Sequence, residues 1–182
     1  MRKLSASFFI SLDGVVEAPQ NWHFTYFNDE MGAVVGEAIA ASDAFLLGRR
    51  TYEEWAAFWP TKAAAESPMA GPMNETPKYV VSTTLDKAEW QNSTLLGGDL
   101  AKAVTELKAK PGANIGMSGS ATLVRSLLEL GLVDELRLLV HPLVVGSGAK
   151  LFENGTPVSL ELADSRTFST GVVDLTYRPV AA

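Results

Sequence analysis

The chain has 182 residues, a formal net charge of −6 and no cysteine. Its negative charge argues against nucleic acid as the main partner, because phosphate backbones attract basic protein surfaces. The absence of cysteine excludes disulfide bonds and cysteine-based catalysis.

The N-terminal region shows no targeting signal. Residues 1–16 lack the pattern of a signal peptide. No apolar run in the chain approaches the roughly 20 residues that a membrane span needs. We therefore expect one cytoplasmic domain, covering residues 1–182, that contacts neither a membrane nor nucleic acid.

The first half of the chain predicts strands and helices in alternation. Its elements, in chain order, are a strand over 2–11, a helix from 28 to 42, a strand over 43–48 and a short helix over 51–59. The loop over residues 12–27 contains turn residues and many aromatic side chains. Residues 61–76 are rich in Ala, Pro, Gly and Ser, so we expect a surface loop there.

The second half continues the alternation and ends in a hairpin. Its elements are a strand over 78–83, a helix over about 99–109, a strand over 113–117, a helix over 120–130, a long strand over 133–145 and two strands over 158–168 and 172–179. Such alternation predicts an α/β fold whose mixed, mainly parallel central sheet is flanked by helices. The closing hairpin adds antiparallel strands.

Three strand ends carry small, polar or cationic residues. They are GRRT at 48–51, ST at 82–83 and SGSAT at 118–122, the last of which opens a helix. In sheets of this kind, ligands bind outside the carboxyl ends of the strands. Together, the three motifs predict one dinucleotide lying across that edge of the sheet.

GRRT is the most informative of these motifs. Gly48 allows close approach of a ligand to the backbone, and the helix that follows offers unpaired N–H groups. Arg49 and Arg50 supply forked donors that match phosphate oxygens. Thr51 can cap the helix or donate a hydrogen bond to a phosphate.

Each motif also has a purely structural interpretation. The two arginines could be solvated charges at a helix start, offset by Glu53 and Glu54. Ser82 and Thr83 could simply end a strand, and residues 118–122 could serve tight strand–helix packing.

The aromatic loop over 12–27 could close over a flat ring. His23 in this loop could donate a proton, although a packed or solvated histidine is the simpler interpretation. His141 is interpreted as a core or edge histidine. Because these are the only two histidines and lie far apart in sequence, we expect no zinc site.

The stretches GRRTYEEW, VVST and SGSATLVRSLLELGLVDELRLLVHPLVVGSGAKLF together resemble the dihydrofolate reductase-like family. They are most similar to its bacterial branch, related to the reductase domain of the riboflavin-pathway protein RibD. The resemblance implies a three-layer dihydrofolate reductase-like fold, NADPH as cofactor and hydride transfer to a small, flat C=N or C=O compound. One activity of that type is reduction of 5-amino-6-(5-phosphoribosylamino)uracil. Dihydrofolate reduction and a non-catalytic nucleotide-binding module remain the alternatives.

The resemblance also implies roles for particular residues. Arg49, with Arg50 as the alternative, would face the 2′-phosphate of the adenosine ribose. The 119–122 turn would lie under the pyrophosphate and the nicotinamide. The residues implied for cofactor binding are Gly48, Arg49, Arg50, Thr51, Ser82, Thr83, Gly119, Ser120, Ala121 and Thr122.

The substrate side is implied by the loop after the first strand. Asp13 and the region around Trp22 match the mobile loop over the nicotinamide and substrate. We expect Asp13 or a bound water to deliver the proton, with Tyr52 as a weaker candidate. The side chains of Asp13, Trp22 and Tyr52 are all expected to contact the substrate. We also expect a homodimer, partly by analogy, with residues 133–145 as its interface strand.

Overall fold

One eight-stranded sheet with helices on both faces organises the chain. The computed structural model describes residues 1–61 and 65–180. Its strands are β1 (Leu4–Ser11), β2 (Ser42–Gly48), β3 (Lys78–Val81), β4 (Ser93–Leu96), β5 (Asn114–Met117), β6 (Glu135–His141), β7 (Leu160–Thr167) and β8 (Val173–Pro179). Its helices are α1 (Asp29–Ala40), α2 (Arg49–Phe58), α3 (Ala70–Glu75), α4 (Leu100–Ala109) and α5 (Ala121–Glu129).

The strands lie in the order β4-β3-β2-β5-β1-β6-β8-β7. The six strands from β4 to β6 in that order are mutually parallel. β8 runs antiparallel to both β6 and β7. The expected α/β class, with a mixed, mainly parallel sheet and a C-terminal antiparallel hairpin, is confirmed.

Strict alternation in β1 places the core on both faces of the sheet. Leu4, Ala6, Phe8 and Ile10 are buried in a cluster that includes residues of α4 and α5. Phe9, on the opposite face, packs with residues of α1 instead. Full burial of a leucine-sized side chain contributes about 1.5–3 kcal/mol, so this pattern fixes which helices cover which face.

The start of α1 follows its prediction. The Asn28 side chain accepts a hydrogen bond from the Met31 amide at 3.0 Å and so caps the helix. α2 begins two positions earlier than predicted, because Gly48 is its N-cap and both arginines already lie within the helix.

The segment expected to be a loop over 61–76 is partly helical, so that prediction is wrong in its second half. Residues 62–64 lie outside the described part of the chain. α3 forms further on and buries Ala70 and Met73. Its C-terminal carbonyl groups accept hydrogen bonds from the buried Lys78 ammonium group. A favourable partner three residues beyond the helix therefore outweighs the poor helix propensity of the sequence.

Two further differences concern strands. β4 was not predicted, because four residues are too short for a reliable periodicity. β6 ends at His141, earlier than expected, since Pro142 has no N–H to continue the ladder. β6 pairs with β1 on one side and β8 on the other, so it has no free edge for the interface predicted there.

None of the described helices is long and apolar enough to cross a membrane.

Candidate active site

The predicted motifs converge at the carboxyl edge of the sheet. β3, β2, β5 and β1 are successive parallel neighbours, so their carboxyl ends share one side. GRRT follows β2, ST follows β3, SGSAT follows β5 and the aromatic loop follows β1. The edge therefore combines two arginines, two helix starts and several aromatic rings.

Ser120 joins two of the motifs directly. Its hydroxyl oxygen accepts a hydrogen bond from the Gly48 amide at 2.9 Å. The same hydroxyl donates to Thr51 Oγ1 at 2.9 Å, and both side chains are buried. The turn after β5 and the first turn of α2 thus form one continuous surface.

Gly119 makes this contact sterically feasible. Its φ of 71° lies in the left-handed region, and a Cβ there would approach Thr51 Cγ2 to 2.9 Å. A Cβ at Gly48 would meet only an ordinary contact, 3.4 Å from Ser120 Oγ. The backbone therefore requires glycine at 119, whereas Gly48 has no comparable steric constraint.

Two helix N-termini meet at this surface. Gly48 caps α2 and Ser120 caps α5, and neither helix has a side-chain cap hydrogen bond. Ala121 and Thr122 open α5, with Thr122 exposed. Unpaired amides and the positive ends of both helix dipoles therefore favour an anion here.

The two arginines differ in their surroundings. Arg49 Nη1 contacts both carboxylate oxygens of Glu53, at 2.9 and 3.1 Å, as the structural interpretation allowed. An exposed pair at this helical spacing contributes only about 0.3–0.5 kcal/mol, so a phosphate can compete for Arg49. Arg50 is exposed and makes no ion pair within residues 1–61 and 65–180. Either arginine can therefore contact a phosphate group.

Ser82 closes the turn after β3. Its hydroxyl oxygen accepts hydrogen bonds from the amides of Thr84 and Leu85, at 3.2 and 3.0 Å. Thr83 beside it is exposed. These bonds use the lone pairs of Ser82, so its O–H remains the group with which it can contact an anion.

Asp13 does not fit the proton-donor role predicted for it. Its carboxylate accepts hydrogen bonds from Ser11 Oγ at 2.6 Å and from the amides of Val145 and Gly146 at 3.0 and 2.8 Å. These three donors, led by Ser11, lower the pKa of Asp13 to about 2. The group is ionised at neutral pH, and it ties the loop after β1 to the loop after β6.

Tyr52 also lies away from its predicted position. Its ring is buried in the cluster of Phe45, Leu47 and Trp90, and its hydroxyl oxygen accepts from the Trp90 amide at 2.9 Å. The helical geometry of α2 directs this side chain into the core. We therefore correct its assignment as a substrate contact and proton donor.

Trp22 lies over the end of β6 with several other rings. Its ring centroid is 5.2 Å from that of His141, and its indole N–H donates to the Glu17 carbonyl at 3.2 Å. His23 stacks on Phe9 with a centroid distance of 4.4 Å and an interplanar angle of 16°. Tyr26 meets His141 edge-on. The loop thus brings the ring centroids of His23 and His141 to 6.2 Å from each other.

Both histidines are neutral at pH 7. Burial, and to a lesser extent the neighbouring His141, lowers the pKa of His23 to about 4. Burial also lowers the pKa of His141, although the carbonyl groups of Leu139 and Ile10 act in the opposite direction. No third ligand-bearing side chain joins them in the described ranges to complete a metal site.

Sequence comparisons show the family of this chain. The model of the RibD C-terminal domain matches residues 2–173. The Bacillus subtilis (strain 168) protein YyaP, itself uncharacterised, is 30% identical over 97% of this chain and 94% of its own length. This chain belongs to the RibD C-terminal domain family.

Solved structures share the RibD C-terminal fold. A Shewanella sp. PV-4 protein provisionally assigned to riboflavin biosynthesis superposes with a TM-score of 0.77, at 21% identity over 98% of this chain and 99% of that one. A pyrimidine reductase-like protein from Corynebacterium diphtheriae gives 0.69, at 14% identity over 100% and 93%. The Saccharomyces riboflavin biosynthesis reductase Rib7 gives 0.63, at 16% identity over 98% and 90%. The dihydrofolate reductase-like resemblance is confirmed.

Two features of this RibD C-terminal domain were missed in the sequence. The Ser120–Thr51 bond joins motifs that are far apart in the chain, and nothing in either motif indicates a partner. The pairing of His23 with His141 was missed for the same reason. An indication was available only for Ser120 and Thr51, since both follow predicted strand ends, whereas His23 lies within the loop over 12–27 and His141 within the strand predicted over 133–145.

Proposed function

We propose that this RibD C-terminal domain is an NADPH-dependent reductase that transfers a hydride to a small, flat C=N or C=O compound. Family membership supports a reductase of this general type. One observation carries the cofactor assignment. Ser120 joins the starts of α2 and α5 into a single surface beside Arg49 and Arg50. Helix starts and guanidinium groups both bind phosphate groups in proteins.

The residues present fit NADPH as a bound group. Gly119 allows the turn after β5 to pack closely on Thr51, and the amide of Thr122 at the start of α5 would contact a pyrophosphate. The Ala121 amide donates to the Gly119 carbonyl at 3.2 Å instead. Arg49 or Arg50 would hold the 2′-phosphate, with the hydroxyl groups of Ser82 and Thr83 close to the same group. The nicotinamide supplies the hydride when the cofactor is bound.

The chain itself positions substrate and excludes water. The loop after β1 is fixed to the loop after β6 by Asp13 and by the antiparallel bridge between Val15 and Lys150. Its aromatic part, around Trp22, covers the ends of β1 and β6. Because Asp13 is ionised, we assign proton delivery to water rather than to this carboxyl group.

A direct binding experiment tests the cofactor assignment. Purified protein is titrated with NADPH and with NADH, and quenching of its four tryptophans is followed. We expect clear preference for NADPH. If neither nucleotide binds, the reductase proposal is wrong and the GRRT segment is an ordinary helix start.

A second candidate function is a nucleotide-binding module without catalysis. The surroundings of Asp13 and Tyr52 favour it, because Asp13 is ionised and carries no proton, and Tyr52 is enclosed in the core. Multiple-turnover oxidation of NADPH with a carbonyl or imine acceptor would reject this candidate. Turnover with dihydrofolate would instead favour dihydrofolate reduction.

The homodimer expected from the sequence remains a proposal. Sedimentation checks it, and a single species of monomer mass would contradict it.

A further inference from the structure

Arg125, in the middle of α5, contacts two other parts of the site at once. Its Nη1 donates to the carbonyl oxygens of Lys150 and Leu151, at 3.0 and 3.3 Å. Its Nη2 donates to Thr122 Oγ1 at 3.3 Å, and the side chain is only 21% exposed. A guanidinium group is planar and carries several N–H donors, so it can hold two partners in fixed directions. Arg125 therefore joins the start of α5 to the loop after β6.

The loop after β6 is in turn paired with the loop after β1. The amides of Leu151 and Val16 each donate to a carbonyl oxygen of the opposite loop, both at 3.0 Å. The carboxylate of Asp13 adds two further bonds between the same loops. We call the paired segments 13–17 and 145–151 the arch. Because Arg125 holds the second segment directly, it also holds the first one through this pairing.

The contact with Arg125 also sets the hydrogen-bonding role of the Thr122 hydroxyl group. A guanidinium group only donates, so Thr122 Oγ1 accepts from it and keeps its own O–H free to donate. Thr122 is exposed at the start of α5, where the positive end of the helix dipole favours an anion. Arg125 therefore holds this hydroxyl group as a donor for an anion that binds there.

A surface ion pair with Glu153 does not account for the position of Arg125. Nη1 of Arg125 lies 3.4 Å from Glu153 Oε1, further than from either carbonyl oxygen, and the Glu153 side chain is 44% exposed. Exposed ion pairs of this kind contribute little to stability. The contacts with the backbone of the arch and with Thr122 therefore define what Arg125 does.

We propose that Arg125 is a positioning residue that couples the phosphate groups of the cofactor to the arch. One end of its guanidinium group orients the Thr122 hydroxyl, and the other end holds the arch. A dinucleotide bound to Thr122 restricts both side chains, so the arch becomes more rigid as well. Since the loop after β1 is the one assigned to the substrate, NADPH orders that loop before the acceptor arrives. The cofactor in this argument rests on the proposed function.

Hydrogen exchange of the protein without cofactor tests whether Arg125 holds the arch. Arg125→Gln removes the forked cation, so the amides of Leu151 and Val16 should exchange roughly 2–13-fold faster, the factor that one hydrogen bond contributes. Arg178→Gln is the matched control, because it makes the same change at an exposed arginine of β8. It should leave both exchange rates unchanged.

A double-mutant cycle on NADPH affinity tests whether Arg125 acts through Thr122. Thr122→Val removes the hydroxyl group at nearly constant volume and should weaken NADPH binding roughly 10–150-fold. Arg125→Gln alone should weaken it roughly 2–13-fold, but hardly at all in the Thr122→Val background, where the group that it orients is absent. General structural damage would instead weaken binding equally in both backgrounds. Glu153→Gln, which removes only the ion pair, should not change the affinity.

Exchange in the presence of NADPH tests the coupling itself in the wild-type protein. NADPH should slow exchange at the Leu151 and Val16 amides, and Arg125→Gln should abolish this slowing. Arg125→Lys is a second variant, which keeps the charge but loses the fork, and it should abolish the slowing too.

Three results would overturn the proposal: unchanged exchange in both Arg125 variants, equal effects in the two backgrounds of the cycle, or bound NADPH that leaves the arch amides unprotected. Failure of NADPH to bind the wild-type protein would instead overturn the proposed function. The exchange rates without cofactor would still decide whether Arg125 holds the arch.

Discussion

The Ser120 hydroxyl group donates to Thr51 Oγ1 and accepts from the Gly48 amide, so one side chain joins the start of α2 to the start of α5. Ser120→Ala removes both bonds and leaves the buried Thr51 hydroxyl and the half-buried Gly48 amide without this partner. We expect a loss of about 1–3 kcal/mol in the free energy of unfolding, together with weaker NADPH binding. Urea unfolding and cofactor titration measure the two effects.

Ser126→Ala is the matched control for that experiment. Ser126 lies in the same helix, and its hydroxyl only bonds the Thr122 carbonyl at 3.3 Å. It should change neither quantity appreciably. Identical behaviour of the two variants would show that the Ser120 bond does not organise the site.

The two arginines are distinguished by comparing NADPH with NADH. Loss of a charge-assisted bond to the 2′-phosphate costs about 1.5–3 kcal/mol, so the responsible Arg→Ala variant should bind NADPH roughly 10–150-fold more weakly. Its affinity for NADH should barely change. Arg49 contacts Glu53, whereas Arg50 makes no described ion pair. Either arginine could therefore hold the phosphate, so both variants are tested in parallel. Equal weakening of both cofactors would exclude a 2′-phosphate contact at that position.

Asp13 is expected to position the loop rather than deliver a proton. Asp13→Asn removes the charge and turns an NH₂ group toward the amide of either Val145 or Gly146, because these two donors contact different carboxylate oxygens. KM for the acceptor should rise and hydrogen exchange at residues 143–151 should accelerate, while the pH profile of kcat keeps its shape. A large fall in kcat at unchanged KM would instead support direct proton transfer.

His23 should make the fold less stable in acid. Its pKa is about 4 in the folded protein against 6.5 for an ordinary histidine, so the unfolded state binds more protons between those values. The free energy of unfolding is therefore constant above pH 6.5 and falls as the pH drops toward 4. We expect a loss on the order of 3 kcal/mol from this group, which is the free energy that corresponds to the difference between the two pKa values.

Urea midpoints measured across that pH range check the His23 prediction. His141, whose pKa burial also lowers, adds acid sensitivity in the same range, and the carboxylates of Asp13 and Glu30 add it at lower pH. His23→Phe keeps the stacked ring and isolates the histidine contribution. A variant whose pH dependence matched that of the wild type would contradict it.

Much of the fold was predictable because its signals are local. Alternation in β1 and the Asn28 cap act within a few residues, and both were identified correctly. α3 was missed because its C-terminus is completed by Lys78, which no helix propensity describes. The edge position of the three motifs followed from strand order. The burial of Tyr52 did not, because its partner Trp90 lies 38 residues further along the chain.

Lys78 has a chemical consequence beyond its structural role. Its side chain is fully enclosed, its ammonium group donates to three carbonyl oxygens, and it lies 4.1 Å from the centre of the Trp90 ring. An amine-labelling reagent therefore reaches it only after α3 detaches from β3, whereas the exposed Lys87 reacts at once. The rate of labelling at Lys78, compared with Lys87, reports local opening of this region in the otherwise folded protein.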